Sequence, residues 1–397
     1  MLATSRAEDQ PSRNEADPRA GSTARRRAMS KSATKEGTTR YAQKFAGRAA
    51  KGHFREMQRL ALSSLGIGTY LGQPDEKTDE GYAAAAVAAV ESGMNVIDAA
   101  INYRFQRSER SIGAAIRQLV AKGMARDEIV VCTKGGYLTP DGAMPGDSNE
   151  YFFREYIQPG VFTAKDIAAG SHCMTPKFLK NQLGRSLKNL GVECVDVYYL
   201  HNPETQLAEV PKEEFLNRIR EAFTFLESAV EAGEIQYYGV ATWNGFRQDA
   251  RARDALQLGE VTHIAQEIAG GRHHFRFVQL PFNLAMTEAL TLGNQAMRGR
   301  DRTVMEAANE LDLTLIASAS LLQGQVAKNL PGFVAEALGL ENDAERALQF
   351  VRSSPGITTA LVGMSRVEHV KANARLVGVA PATTEEFSKL FSRGEGA

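Results

Sequence analysis

From Leu60 to Leu376 the chain repeats one two-part unit: a short apolar run, then a longer stretch with apolar residues at helical spacing. The short runs are Leu62–Tyr70, Asn95–Ile97, Glu128–Thr133, Val195–Leu200, Ile235–Thr242, Phe275–Leu280, Thr314–Ser318 and Thr358–Val362. Several are β-branched or aromatic without alternation, the pattern of strands covered on both faces. The longer stretches predict helices at Thr78–Ser92, Ser108–Lys122, Thr175–Leu190, Glu213–Ala232, Asp249–Leu258, Arg302–Leu311, Asn342–Ser353 and Val367–Leu376. Thr175-Pro176 supplies an N-cap and a proline at the first helical position. Eight such units in one unbroken alternation favour a parallel sheet. Two closures compete, an open doubly wound sheet and a (β/α)8 TIM barrel, and eight units in about 320 residues fit the barrel with insertions.

The N-terminal residues stand outside this pattern. From Ala3 to Arg40 there is no Leu, Ile, Val, Phe or Trp, so the segment has too little apolar surface to offset the entropy of ordering it. Residues 1–55 carry 13 Lys and Arg against 5 Asp and Glu, although the 397-residue chain balances 47 against 47. The organisation expected is a disordered basic tail over 1–40 and a single α/β domain over 41–397. The Arg25-Arg26-Arg27 cluster lacks the apolar run of a secretory signal, and Glu8, Asp9, Glu15 and Asp17 do not suit an organellar presequence. The zero charge balance argues against a nucleic-acid binder. No stretch approaches the roughly 18 apolar residues of a membrane span, so no membrane partner is expected. Cys132, Cys173 and Cys194 form no CxxC pair, which excludes a disulfide framework or a thiolate zinc site and makes a reducing cytoplasm the default.

The polar residues that end the apolar runs carry the functional signal. Asp98 follows Asn-Val-Ile, Lys134 follows Val-Val-Cys-Thr, His201 follows Val-Tyr-Tyr-Leu, and Gln279 follows Phe-Val. Each alone is more often a structural polar residue. In a barrel the C-terminal strand ends converge on one mouth, so these groups would face one another there. Asp98-Ala-Ala-Ile-Asn-Tyr103 adds a phenol five residues past the carboxylate.

With this Asp, Tyr, Lys, His set the sequence resembles the aldo-keto reductases, from about Arg55 to Gly378. The resemblance rests on Leu65-Gly-Ile-Gly-Thr-Tyr70, Asn95 to Tyr103 with Ser108-Glu109 and Gly113, and Val131-Cys-Thr-Lys134. Further on it rests on Leu183 to Leu190, Val195 to His201, Gly239-Val-Ala-Thr-Trp243, Gln279-Leu-Pro-Phe-Asn283 and Gly363-Met-Ser365. It implies a TIM barrel whose floor is closed by an N-terminal hairpin, here within 41–62. It also implies reversible reduction of a small aldehyde or ketone with a nicotinamide cofactor. Asp98, Tyr103, Lys134 and His201 would be catalytic. Tyr103 would be the general acid, its phenolate favoured by Lys134, which Asp98 would hold; His201 would polarise the carbonyl. Tyr70, Tyr103, His201 and Asn202 would meet the substrate. The cofactor would lie on Gly68, Thr69, Asp98, Thr242, Gln279, Ala319, Leu321 and Gly324, then on Gly363, Met364, Ser365, His369 and Asn373, with phosphates at the start of the last helix.

Some positions depart from the family pattern. Ala241-Thr242 stands for the usual Ser-Asn pair, Ser318 for a stacking aromatic, and His369 for an arginine near the 2′-phosphate, where Arg366 or Lys371 would substitute. NADP(H) is expected, with NAD(H) as the alternative. The glycines Gly66, Gly68 and Gly72 miss the spacing of a Rossmann turn. Some forty residues between Lys134 and Thr175 form a long insertion after the third strand. They are either a lid built from Tyr151, Phe152, Phe153 and Tyr156 or an aromatic satellite core. His172-Cys173 does not close a metal site, and no metal is expected. A second functional reading is a nicotinamide-binding regulatory protein resembling potassium-channel β-subunits.

Overall fold

The computed structural model describes residues 30–391. Eight parallel strands close into a barrel: β1 (Leu65–Gly68), β2 (Val96–Asp98), β3 (Val130–Gly135), β4 (Val195–His201), β5 (Ile235–Ala241), β6 (Phe275–Pro281), β7 (Thr314–Ser318) and β8 (Ile357–Gly363). They pair in sequence order and β8 closes on β1, with Gly363 opposite Gly68. The open doubly wound alternative is thereby excluded. Helices α1 (Glu76–Glu91), α2 (Arg107–Ala121), α3 (Pro176–Leu190), α4 (Lys212–Glu231), α5 (Leu258–Ala269), α6 (Val304–Glu310), α7 (Asp343–Ser353) and α8 (Val367–Ala374) pack outside it.

The period-2 alternation of strand side chains sorts each strand into an outer and an inner row. Ile67, Ile97, Val131, Tyr198, Val240 and Leu280 face the helices in the main core. Val96, Val130, Cys132, Val197, Tyr199, Ala241, Phe277, Ile316 and Leu361 fill the barrel interior. Asp98, Lys134, His201 and Gln279 fall on the inner row, each at the upper end of its strand. The alternation therefore aims four polar groups from four strands into one mouth.

Leu62–Tyr70 is two strands and not one. The hairpin Phe54–Met57 with Leu60–Ser63 closes the floor, and the chain turns at Ser64, whose N–H donates to His53 O at 2.6 Å. Asn95 secures that corner, accepting from Ser63 N at 2.9 Å and donating to Ala61 O at 2.9 Å.

The ordered body begins before residue 41. Lys35–Lys44 is helical, capped by Thr34. Ala33 is buried against Leu60 and Leu62 beneath the barrel, and its N–H donates to Asp196 Oδ1 at 2.6 Å. The tail expected over 1–40 is thus corrected at its C-terminal end; residues 1–29 lie outside the described residues.

Asp249–Leu258 is not a helix. Asn294 Nδ2 donates to Phe246 O and Gln248 O, and Gln295 binds Leu258 N and Leu256 O. These side chains satisfy the backbone of an irregular segment, and α5 starts only at Leu258. Gly259 and the β-branched Val261 and Thr262 hide α5 from propensity.

The insertion after β3 contains short turns, Ser148–Phe152 running into Phe153–Ile157, and Ala164–Asp166. Tyr156 is fully buried, stacked on Phe162 at 5.5 Å and packed against Phe178. Tyr151 and Phe152 join the same cluster. Of the two readings of the insertion, the satellite core holds for these three rings, while Phe153 is exposed.

Candidate active site

The mouth is built on a charge pair. Lys134 Nζ lies 2.6 Å from Asp98 Oδ2 and donates to Ala99 O at 2.9 Å, and both side chains are buried. The second carboxylate oxygen, Oδ1, accepts from Gln279 Nε2 at 2.8 Å. A buried charge pair needs its remaining lone pairs and protons satisfied, and Ala99 and Gln279 do that.

Tyr103 stands over this pair, with Lys134 Nζ 4.8 Å from its ring centre. His201 faces the same ring edge-on at 5.9 Å, and Tyr70 does so at 5.0 Å from the exposed side. Burial would push the Lys134 ammonium down, but Asp98 and Tyr103 outweigh it and hold the lysine charged. Burial is likewise the largest effect on Tyr103 and raises the phenol. Lys134 draws it down as expected and Asp98 raises it again, leaving it above its ordinary value. Burial, Lys134 and His172 together push His201 well below the ordinary imidazole range, so it is neutral. The arrangement thus offers a protonated phenol and a neutral imidazole beside a fixed ammonium.

Asn202 has positive φ (46°), and its Nδ2 donates to Tyr137 Oη at 3.1 Å. Its amide is engaged with Tyr137, a residue sequence reasoning passed over. Tyr137 starts the insertion and stands perpendicular to His201 at 5.2 Å. Its only sequence signal was its place three residues past Lys134. Glu204 was also missed. This buried carboxylate accepts from the N–H groups of Trp243, Asn244 and Gly245 at 2.7, 3.0 and 3.3 Å, fixing the loop after β5.

The residues expected around a nucleotide follow the rim. Thr69 is fully buried: its hydroxyl meets Asp98 O at 2.8 Å and Ser108 Oγ at 2.6 Å, and its carbonyl accepts from Arg104 Nη1 at 2.9 Å. Thr242 N donates to Gln279 O at 2.9 Å, while its hydroxyl is buried with no partner among the described residues. Ala319 has φ 53° and accepts from Asn283 Nδ2 at 3.0 Å. Leu321 and Gly324 continue through tight turns in the loop after β7. Gly363 ends β8, Met364 is buried, Ser365 is half-buried, Asn373 is buried and His369 is exposed beside Arg366.

A sequence model described as the aldo/keto reductase family matches residues 64–392. The chain belongs to that family. Among curated relatives of this aldo/keto reductase is a "Putative voltage-gated potassium channel subunit beta" of Schizosaccharomyces pombe. It is 25% identical over 344 residues, covering 83% of this chain and 89% of that one. An "L-glyceraldehyde 3-phosphate reductase" of Escherichia coli O157:H7 is 23% identical over 367 residues, covering 83% and 88%. Among solved structures, an aldo-keto reductase from Bacillus halodurans in its holo form has a TM-score of 0.59 at 18% identity, covering 85% and 95%. An aldo/keto reductase from Klebsiella pneumoniae in complex with NADP and acetate has a TM-score of 0.57 at 20% identity, covering 86% and 94%. Both structures share the fold of this aldo/keto reductase.

The rim of this aldo/keto reductase fits a dinucleotide. At one end Thr242 presents a buried, unpartnered hydroxyl. At the other α8 begins with Arg366 at its N-cap and no side chain capping it, which leaves first-turn amides for an anion. Among the described residues no group of three or more His, Cys, Asp and Glu side chains is placed to hold a metal ion.

Proposed function

We propose that the protein reduces an aldehyde or ketone to an alcohol, reversibly, with NADP(H). The observation that carries this reading is the Gln279–Asp98–Lys134 chain under the Tyr103 phenol, with His201 across from it. When bound, the nicotinamide would supply the hydride for the carbonyl carbon, or accept it in the reverse direction. Tyr103 then gives its proton to the oxygen, and Lys134, held by Asp98, stabilises the phenolate left behind. His201 donates a hydrogen bond to the carbonyl oxygen and aligns it for transfer. Tyr70 and Asn202 border the substrate side. Gly68, Thr69, Asp98, Thr242 and Gln279 would hold the nicotinamide end. Ala319, Leu321, Gly324, Gly363, Met364, Ser365, His369 and Asn373 would hold the phosphates and adenosine. The names of the holo and NADP-bound neighbours support the cofactor class, and NAD(H) is the alternative.

Reduction of 4-nitrobenzaldehyde with NADPH, against Tyr103→Phe, tests the reading. Turnover that survives in the variant, with cofactor binding intact, removes Tyr103 from the reaction. The second reading, a nicotinamide-binding regulatory subunit, is favoured by the channel-subunit name of the Schizosaccharomyces pombe relative. Nucleotide binding without turnover of any carbonyl compound would select it. We place the protein in the cytoplasm, supported by three buried, unpaired cysteines. No helix of the described residues is long and apolar enough to cross a membrane.

A further inference from the structure

Behind His201 lies a set of contacts that hydride and proton transfer do not use. The two ends of the insertion zip together, with Leu138 N donating to Ser171 O and Cys173 N to Gly136 O, each at 2.8 Å. This brings His172 under the mouth, where it is fully buried. His172 Nε2 meets His201 O at 2.7 Å, and Gln206 Nε2 meets His172 Nδ1 at 3.1 Å. The ring of Tyr137 stands perpendicular to both imidazoles, 5.0 Å from His172 and 5.2 Å from His201. Its hydroxyl is engaged by Asn202 at 3.1 Å and Thr205 at 3.2 Å. Its carbonyl accepts from Gln182 at 2.7 Å.

The consequence falls on His201. Its Nδ1 is sealed with no partner among the described residues, while the residue keeps 9% of its surface exposed. A buried N–H without an acceptor is rarer and costlier than a bare acceptor. The proton of the neutral ring therefore belongs on Nε2, the nitrogen left to meet a substrate oxygen. Two rings shield the imidazole, Tyr103, which takes part in the reaction, and Tyr137, which does not.

We propose that Tyr137, clamped by His172, Asn202 and Thr205, is a positioning residue that keeps Nδ1 of His201 dry and so holds the imidazole as its Nε2–H tautomer, facing the mouth. This rests on the reading in which His201 donates to the carbonyl oxygen, and it gives the insertion a role in the reaction that its aromatic satellite core does not. His172 then acts by holding both the strand end and the Tyr137 ring.

Proton–nitrogen NMR of the full-length, 15N-histidine-labelled protein reads the tautomer directly, with His201 assigned by its loss in His201→Gln. The wild type is expected to show Nε2–H. In Tyr137→Ala water reaches Nδ1, the Nδ1–H form becomes populated, and kcat falls about tenfold with KM for NADPH unchanged. Tyr137→Phe keeps the ring and is expected to restore the tautomer and most of kcat; Tyr137→Leu serves as the opening variant if Tyr137→Ala does not fold. A wild type with Nδ1–H, or an opened variant whose tautomer is unchanged, overturns the proposal. Because this readout needs no turnover, an inactive protein that still shows Nε2–H, lost in the opened variant, supports the positioning role while removing the reductase reading.

Discussion

Lys134 Nζ and Asp98 Oδ2 sit 2.6 Å apart at the base of the barrel mouth, both side chains buried. Removing one partner of such a pair leaves an uncompensated charge, at a cost of about 3–5 kcal/mol. Lys134→Met and Asp98→Asn are each expected to lose stability on that scale in urea unfolding, and to lose carbonyl reduction by about a hundredfold or more. The double variant removes both charges and should recover part of the stability but none of the activity. A double variant as unstable as the sum of the singles would mean that the pair is not coupled.

Tyr103 is held above its ordinary phenol value and His201 well below its ordinary imidazole value. Across pH 6 to 9 the phenol therefore keeps its proton and the imidazole stays neutral. Reduction rates are expected to be flat over that span. Alcohol oxidation needs the phenolate and should climb with pH, by up to about tenfold per unit. Steady-state profiles in both directions check this. A basic limb in reduction centred below pH 9 would contradict the assignment of Tyr103.

Acid should weaken the fold through two histidines that take no part in chemistry. His53 donates to Gly93 O at 2.8 Å and meets Ser64 Oγ at 3.1 Å, and burial lowers it to about 4. Burial lowers His172 to about 4 as well. Below pH 6.5 the unfolded chain takes up protons that the folded chain refuses, so stability declines as pH falls towards 4. Each histidine contributes about 3 kcal/mol at most to that decline. Guanidinium midpoints at pH 7 and 4.5 measure it, and His53→Gln should shrink the difference between them.

Glu204 gathers three backbone N–H groups of the loop that follows Thr242. Burial holds this carboxyl above its ordinary value, and the three N–H groups offset only part of that rise. Glu204→Gln keeps an acceptor oxygen and should be nearly silent. Glu204→Ala strands those donors, at about 1–3 kcal/mol, and should raise the apparent Kd for NADPH several-fold by loosening the loop. Equal Kd values in the two variants would show that the clamp does not reach the cofactor rim.

Gly136 has φ 144°, and a Cβ there would come within 2.9 Å of His172 Nε2 and 3.0 Å of His201 O. Gly136→Ala is therefore expected to push the strand end apart and lower both Tm and kcat. A variant with wild-type kcat would argue that the His172–His201 contact is dispensable.

The barrel and the four strand-end groups were legible because both follow from periodicity. Buried parallel strands write themselves as apolar runs, and the alternation that fills the interior with Val96, Cys132, Val197 and Phe277 also aims Asp98, Lys134, His201 and Gln279 inward. What escaped the sequence depends on partners distant along the chain. Ala33 is ordered by Asp196, and the irregular stretch before α5 by Asn294 and Gln295, none of which local composition reveals. Tyr137 and Glu204 escaped for the same reason, since their importance lies in what the fold brings beside them. The net rise of the Tyr103 phenol was hidden because a lysine's presence is visible in a sequence whereas the depth of burial is not.

The docking of Ala33 under the barrel sets where the protein can be shortened. A chain trimmed to begin at Tyr41 would keep all eight strands and every residue of the mouth. It would also strip the cover from Leu60 and Leu62 and delete one of the donors to Asp196, whose other oxygen serves Arg126 and Val131. Such a fragment would carry an intact catalytic end on an open, sticky underside. Self-association of the trimmed protein would then report on a missing lid at the bottom, and say nothing about how the whole protein assembles.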